Sequence, residues 1–140
     1  MDDFSRQIDF LEQHSTYARR WLSARPDWRE WLRTQGYKKV DIQGIKDLLN
    51  DCDVNHHAGD QDELLWMANL RLARQRLMLW VAFRDLNGMA DLQEVTHALS
   101  HFAELAVSVS IAFIREDLKS RFGLSWSNST NSEMPLMVVG

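Results

Sequence analysis

LWMANLRLARQRLMLWVAFRDLNGMADLQEVTHAL, residues 65–99, carries the strongest indication of the fold. Asn87 and Gly88 tolerate a positive φ and are expected to end a helix there. Asp91, followed three residues later by Glu94, predicts a capping box at the start of the next helix. The sequence therefore predicts two long antiparallel helices joined by a short turn. Leucines recur every seven residues in the first of them, with three further residues near the same seam: Leu65, Leu72, Leu79 and Leu86, with Ala68, Gln75 and Phe83.

The second long helix is predicted to continue to Gly123. Its apolar side chains keep helical spacing over its whole length: Leu92, Val95, Leu99, Phe102, Ala106, Val109, Phe113 and Leu118. Residues 125–132 are rich in serine and asparagine, which is typical of a linker. The run PLMVVG, residues 135–140, is typical of a buried parallel strand that leads into a glycine loop. Because such a strand needs neighbours, we expect an α/β domain to begin near Pro135 and to continue beyond Gly140.

A long N-terminal helix is predicted from Phe4 to about Ala24. Pro26 cannot lie inside a helix without the loss of a backbone hydrogen bond, so the helix must end before it. One face of this predicted helix is apolar or small: Ile8, Leu11, Ser15, Ala18 and Leu22.

Two shorter helices are predicted between this helix and the long pair. Residues 27–35 place Trp28 and Trp31 on one face, which we expect to pack inward, and Gly36 is expected to be a left-handed C-cap. Asp41 is the predicted N-cap of the next helix. That helix has a predicted buried stripe: Ile42, Ile45, Leu48 and Leu49.

Composition places the chain among globular proteins. It has 140 residues, 45% hydrophobic and 26% charged, which suits one domain with its own core. A net charge of -4 argues against a nucleic-acid partner. The single cysteine, Cys52, cannot form an intramolecular disulfide, and Met1–Asp3 do not open a signal peptide. Ala103–Ile114 is shorter than the roughly 20 apolar residues that span a bilayer, so we expect a cytoplasmic protein without a membrane partner.

Residues 51–63, DCDVNHHAGDQDE, are the densest group of possible metal ligands. A calcium loop is disfavoured because His56 stands where the sharp turn needs glycine, and Asp62 stands where a bidentate glutamate is needed. A zinc site built on Cys52, His56 and His57 would need a fourth ligand from a second cluster, and the sequence has none. The two Asp-x-Asp triplets, 51–53 and 60–62, follow neither a strand nor a glycine loop. The favoured interpretation is a solvated loop whose acidic end complements the next helix dipole.

Five charged residues of the first long helix are candidate partner contacts. Their arginines could bind phosphate or an acidic partner. The favoured interpretation is structural, in which the arginines pair with carboxylates of the neighbouring helix while their stems cover apolar surface. These five are Arg71, Arg74, Arg76, Arg84 and Asp85. His97 and His101 share one helical face and could bind a metal, although no glutamate-bearing zinc motif accompanies them.

Several of these motifs together resemble the glutamine synthetase adenylyltransferase family. The segments that carry the resemblance are Asn69–Arg76, Arg84–Leu86, Ala90–Thr96 and Leu99–Ser100, in that order along the chain. Upstream, Ser15–Tyr17 and Pro26–Trp28 are similar to the early Ser-x-Phe/Tyr and Pro-x-Trp positions of the family.

The resemblance implies a bifunctional enzyme with two nucleotidyltransferase domains. The N-terminal one would remove AMP from glutamine synthetase by phosphorolysis, the C-terminal one would add it from ATP, and PII signal proteins and glutamine would regulate the balance. Magnesium and ATP or ADP are the cofactors so implied. Gly140 would match the first glycine of the nucleotide-binding loop, and the catalytic residues of the family would lie after it.

The expected fold class is therefore mainly α: a helical bundle with a long antiparallel helix pair, ending in the first strand of a truncated α/β nucleotidyltransferase domain. The helical region is expected to cover residues 1–123, the linker residues 124–134, and the start of the nucleotidyltransferase domain residues 135–140. Alone, the chain is expected to be inactive, to bind no cofactor, and to brace the adenylyl-removing domain. The alternative is a free-standing helical interaction module whose partner surface is Trp28 with Trp31, or the arginines between Arg71 and Arg84.

Overall fold

The computed structural model describes residues 1–55, 63–123, 126–127 and 129–134. Six helices make up most of this part of the chain, so the predicted mainly helical class is confirmed. The helices are α1 (Asp3–His14), α2 (Thr16–Ala24), α3 (Asp27–Gln35), α4 (Ile42–Asp51), α5 (Glu63–Leu86) and α6 (Leu92–Phe122). Two two-residue strands, β1 (Trp126–Ser127) and β2 (Ser132–Glu133), pair antiparallel, with Trp126 opposite Glu133.

Helix α5 lies between two hydrophobic clusters and contributes side chains to both. Leu79 and Phe83 belong to a cluster with α1, α2 and α3. Ala73, Leu77 and Trp80 belong to a cluster with α4 and the first half of α6. A helix that is covered on two sides buries more than a single stripe.

This two-sided burial corrects the predicted leucine seam. Leu79 is fully buried, but Leu65 and Leu86 are 53% and 37% exposed. The seven-residue spacing follows a face that contacts the α1–α3 cluster only in the middle of α5. Side chains outside the predicted seam, such as Trp66, Leu77 and Trp80, are buried instead.

The predicted continuous N-terminal helix is wrong at Ser15, where α1 ends and α2 begins. Ser15 has extended backbone angles, and its side chain accepts a hydrogen bond from the Ala18 N–H at 3.1 Å. It is therefore the N-cap of α2. The break lets both helices pack against α5, with Leu11 and Ala18 fully buried on either side of it.

Gly36 is not the left-handed cap that the sequence predicts, because its φ is −57°. A Cβ at this position would lie 2.6 Å from the Phe83 ring and 2.6 Å from the Leu32 carbonyl oxygen. Glycine is needed here for a close approach between α3 and α5. Gly88, by contrast, has the expected positive φ of 69° in the turn between α5 and α6.

Helix α4 begins as predicted. Asp41 caps it by accepting a hydrogen bond from the Gly44 N–H at 2.8 Å. Ile45, Leu48 and Leu49 are buried, but Ile42 in the first turn is 44% exposed, so the predicted stripe is one residue too long.

Two contacts fix α6 alongside α5. Near the turn, Arg84 of α5 pairs with Glu94 of α6. At the other end, the rings of Trp66 and Phe113 stack with their centroids 4.3 Å apart. Helix α6 continues for nine residues after Phe113, and its last two turns are mostly exposed.

By length and composition alone, α6 is apolar enough to cross a membrane. A single helix of this kind is weak evidence for a membrane span, so this finding by itself assigns no membrane role. The predicted terminal strand, residues 135–140, lies outside the described residues, as do His56, His57, Asp60 and Asp62 of the acidic loop.

Candidate functional site

Arg84 is the most completely bonded charged side chain of the predicted arginine set. Its Nε donates to Glu94 Oε1 at 2.7 Å, and Nη2 donates to Glu94 Oε2 at 3.3 Å. Nη1 donates to the carbonyls of Gly36 and Tyr37, at 3.3 and 2.9 Å, and Nη2 also donates to the Met89 carbonyl at 2.9 Å. A guanidinium has five N–H donors, so none is left for a phosphate or an acidic partner.

Glu94 has a different role from the one that the sequence predicts. The Asp91 side chain caps α6 by accepting from the Glu94 N–H at 2.7 Å, as expected. The Glu94 carboxylate, however, does not reach back to complete the capping box. It accepts from Arg84 and from the Val40 N–H at 3.0 Å.

The ion pair between Arg84 and Glu94 is buried, with both side chains 7% exposed. Burial raises the pKa of the Glu94 carboxyl, but the hydrogen bonds from Arg84 and the Val40 N–H outweigh burial and hold the pKa below its ordinary value. The carboxylate is thus charged at neutral pH. Removing one partner of a buried pair leaves an uncompensated charge, which costs about 3–5 kcal/mol.

Three chain segments meet at this pair: the end of α5, the start of α6, and the connector from Gly36 to Val40. The arrangement is a brace that fixes the turn between the two long helices against the α3–α4 connector. Sequence reasoning found Arg84 but missed Glu94 as its partner. A signal was available in the sequence. Arg84 and Glu94 are ten residues apart on either side of the turn between α5 and α6, which brings both side chains to the same end of the two helices.

Arg76 is the second arginine of the set that is at least partly buried. Its guanidinium lies 5.1 Å from the Trp31 ring centroid and 5.7 Å from that of Trp28. It also interacts with Cys52, where burial raises the pKa of the thiol and Arg76 partly offsets that effect. Stacking of a guanidinium on indole faces stabilises it in a partly desolvated position.

The two indoles of α3 do not form an exposed partner surface. Trp28 is 1% exposed and stacks on Trp21 at 5.5 Å between centroids. Trp31 is partly buried and meets Trp80 edge to face at 6.2 Å. Both indoles pack inward as predicted, which leaves the interaction-module alternative without its aromatic surface.

The remaining predicted contact residues are not brought together into a site. Arg71, Arg74 and Asp85 are exposed along α5. Arg74 lies near Tyr17, where burial raises the pKa of the phenol and the arginine charge partly opposes that effect. Gly140, the predicted nucleotide contact, lies outside the described residues.

A metal site is not formed by the part of the chain that the structure describes. Within it, no three His, Cys, Asp or Glu side chains are grouped so as to hold an ion. His97 and His101 have ring centroids 5.9 Å apart and line an open cleft of about 320 Å³ together with Asp41, Asp91 and Glu94. Of these carboxylates, Glu94 is already bound to Arg84 and Asp91 to its own helix N-terminus.

Comparison with known proteins gives a consistent result over nearly the whole chain. Residues 12–140 match the model of a family described as glutamate-ammonia ligase adenylyltransferase. A protein of Ralstonia nicotianae is 31% identical over 133 residues, and one of Aromatoleum aromaticum is 33% identical over 126 residues. Each is named bifunctional glutamine synthetase adenylyltransferase/adenylyl-removing enzyme.

These alignments cover 95% and 90% of this chain but only 14% and 13% of the two relatives. A protein of Bordetella pertussis with the same name is 30% identical over 130 residues, again 13% of its length. No solved structure matches the chain.

Proposed function

The chain belongs to the glutamate-ammonia ligase adenylyltransferase family, and we propose that it is the N-terminal helical part of an enzyme that adds AMP to, and removes AMP from, glutamine synthetase. The observation that carries this proposal is the family match over residues 12–140, together with relatives that are about 30% identical over at least nine-tenths of the chain. The chain spans about one-seventh of the length of those relatives, so the chemistry is assigned to the remainder.

The role that we assign to this part is mechanical. The brace formed by Arg84 and Glu94 holds the turn between α5 and α6 against the α3–α4 connector. Helices α5 and α6 form an antiparallel pair, which is supported by contacts at both ends of α5: Arg84 with Glu94, and Trp66 with Phe113. A pair fixed in this way presents a rigid wall to the adjoining adenylyl-removing domain.

We assign magnesium and the nucleotide to a part of the enzyme outside the described residues. The guanidinium of Arg84 has no free donor, and among these residues no group of carboxylates could hold a cation. Magnesium and ATP or ADP are assigned, in this proposal, to the nucleotidyltransferase domain that the sequence predicts from about Pro135. We propose Gly140 as its first loop glycine, and residues 124–134, which include the short β1–β2 pair, as the segment that precedes it.

Glutamine synthetase is the proposed substrate partner, since the names of the relatives state it. A PII signal protein and glutamine are the proposed regulators, in the cytoplasm, on the strength of the family resemblance. No nucleic-acid or membrane partner is proposed, because the net charge of the chain is -4 and the uncharged part of α6 is short.

A chimera tests this function. The matching region of the Ralstonia nicotianae relative is replaced by this chain, and phosphorolysis of adenylylated glutamine synthetase is measured. We expect the chimera to retain the activity, the relative without this region to lose it, and the isolated 140-residue chain to show none. Turnover by the isolated chain, or full activity after deletion of the region, would contradict the proposal.

A further inference from the structure

Helix α6 has a second apolar face, opposite the one that packs on the core. Its core side is formed by Ala98, Phe102, Val109 and Phe113. On the other side, apolar residues recur at intervals of four, three and four, which keeps them on one face of a helix: Val107, Ile111, Ile114 and Leu118. We call these four residues the outer stripe.

The outer stripe is only partly covered within the described part of the chain, where Ile111 is partly buried and the other three residues are exposed. Val107 and Ile114 are each 48% exposed and Leu118 is 42% exposed. Phe122, one turn further along, is 80% exposed. A row of large apolar side chains at helical spacing, continued over several turns, is typical of an interaction surface rather than of scattered surface residues.

The polar groups beside the stripe are already satisfied within the helix. Ser108 Oγ donates to the Glu104 carbonyl at 2.9 Å, and Ser110 Oγ donates to the Ala106 carbonyl at 2.7 Å. Such bonds remove the need of a serine hydroxyl for water. From Leu105 to Ile114 the helix carries no charged side chain. The outer side of this segment can therefore contact apolar groups, as its core side does.

A membrane span would have to bury a charged group of this helix. The uncharged residues between Glu104 and Arg115 extend for only about 15 Å, half of the roughly 30 Å of a hydrocarbon core, so a span would include Glu104, whose burial in lipid is costly. The opposite side of the helix is also engaged, since Phe113 stacks on Trp66. A protein surface is the partner that fits a stripe of this length.

We infer that the outer stripe is a docking face for an apolar surface of the same polypeptide in the full-length enzyme. This inference rests on the proposed function, since it takes the rest of that enzyme as the partner. The curated relatives carry this region as 13–14% of their length, so a partner surface is available within one chain. A covalently linked surface is present at about millimolar effective concentration, which favours it over a second copy.

Thiol labelling tests the inference in the same chimera. Ile114→Cys and Leu118→Cys are made separately, in the isolated chain and in the chimera, and maleimide labelling is followed by peptide mass spectrometry. Cys52 is 4% exposed and gives little background in this part of the chain. Ser108→Cys is the matched control, because it is exposed on the same helix about 100° around from Val107.

The expected result is rapid labelling at both stripe positions in the isolated chain and labelling at least about tenfold slower in the chimera, with Ser108→Cys equally reactive in both. Equal rates at the stripe positions in both proteins would overturn the inference. So would an isolated chain that sediments as a dimer with a protected stripe, because the partner would then be a second copy.

The same chimera separates this inference from the proposed function. A protected stripe without phosphorolysis of adenylylated glutamine synthetase would retain the docking face and refute the function. Phosphorolysis with an unprotected stripe would support the function and refute the docking face.

Discussion

Residues 92–102 of α6 and residues 107–122 have similar apolar content and different surroundings. In the first part, Glu94, Ala98 and Phe102 are buried against α4, α5 and the α3–α4 connector. In the last part, Val107, Ile114 and Leu118 remain about half exposed. Helical spacing of apolar residues therefore reveals a face that needs cover, but it does not reveal whether the chain itself supplies that cover.

Ion pairs give the sharpest contrast between the two parts. Glu94→Ala leaves Arg84 buried without its counter-charge, so we expect a loss of about 3–5 kcal/mol in the free energy of unfolding. Asp117→Ala removes an exposed i,i+4 partner of Arg121 and should cost at most about 0.5 kcal/mol. Urea unfolding followed by tryptophan fluorescence measures both variants. Similar losses in the two would contradict the contrast.

Truncation of apolar side chains tests the same contrast in the isolated chain. Phe102→Ala should cost about 3 kcal/mol, because the ring is 8% exposed within the core cluster. Ile114→Ala should change the free energy of unfolding by no more than about 0.5 kcal/mol, since no described element covers it. The measurement is again chemical denaturation. A loss of more than about 2 kcal/mol for Ile114→Ala would show that the outer stripe is already packed.

Substitution of Gly36, compared with substitution of Gly88, tests the close approach of α3 to α5. Gly36→Ala would drive a methyl group into the Phe83 ring, so we expect about 1–3 kcal/mol of destabilisation from overpacking. Gly88→Ala meets no atom within 4 Å and should cost only about 1 kcal/mol, from its positive φ. Thermal unfolding ranks the pair. The opposite order would argue against the close approach of α3 to α5.

The pH dependence of stability is the smallest expected effect. Because the pKa of Glu94 is lowered in the folded state, its contribution is complete above the unfolded pKa of about 4.3 and is lost as the pH falls through the folded value. The free energy of unfolding should therefore fall more steeply on acidification in the wild type than in Glu94→Gln. If the free energy of unfolding fell with pH in parallel for the two proteins, Glu94 would not contribute to the loss of stability in acid.

Much of this fold could be predicted from local chemistry. The Asp41 and Asp91 caps, the turn at Gly88 and the inward packing of Trp28 all follow from rules that act within one or two turns. The break at Ser15 was missed because the apolar face of α1 continues into α2 at helical spacing. Only the cap hydrogen bond distinguishes two helices from one.

The candidate site was harder to predict because its bonds connect distant segments. All four arginines lie on α5, and nothing local distinguishes Arg84 from Arg71. The difference arises from the carbonyls of Gly36 and Tyr37, more than forty residues earlier, and from Glu94 across the turn. Similarly, the leucine seam failed at Leu65 and Leu86 because tertiary packing on two sides of α5 overrides a single sequence period.

Amide hydrogen exchange along α6 of the 140-residue chain, resolved by peptide, distinguishes the packed part of this helix from the exposed part. We expect slow exchange in residues 92–106, which the core and the Arg84–Glu94 brace protect, and exchange faster by at least about a hundredfold in residues 114–122. Uniformly slow exchange to Phe122 in the monomeric chain would contradict this expectation, because the outer stripe would then already be covered.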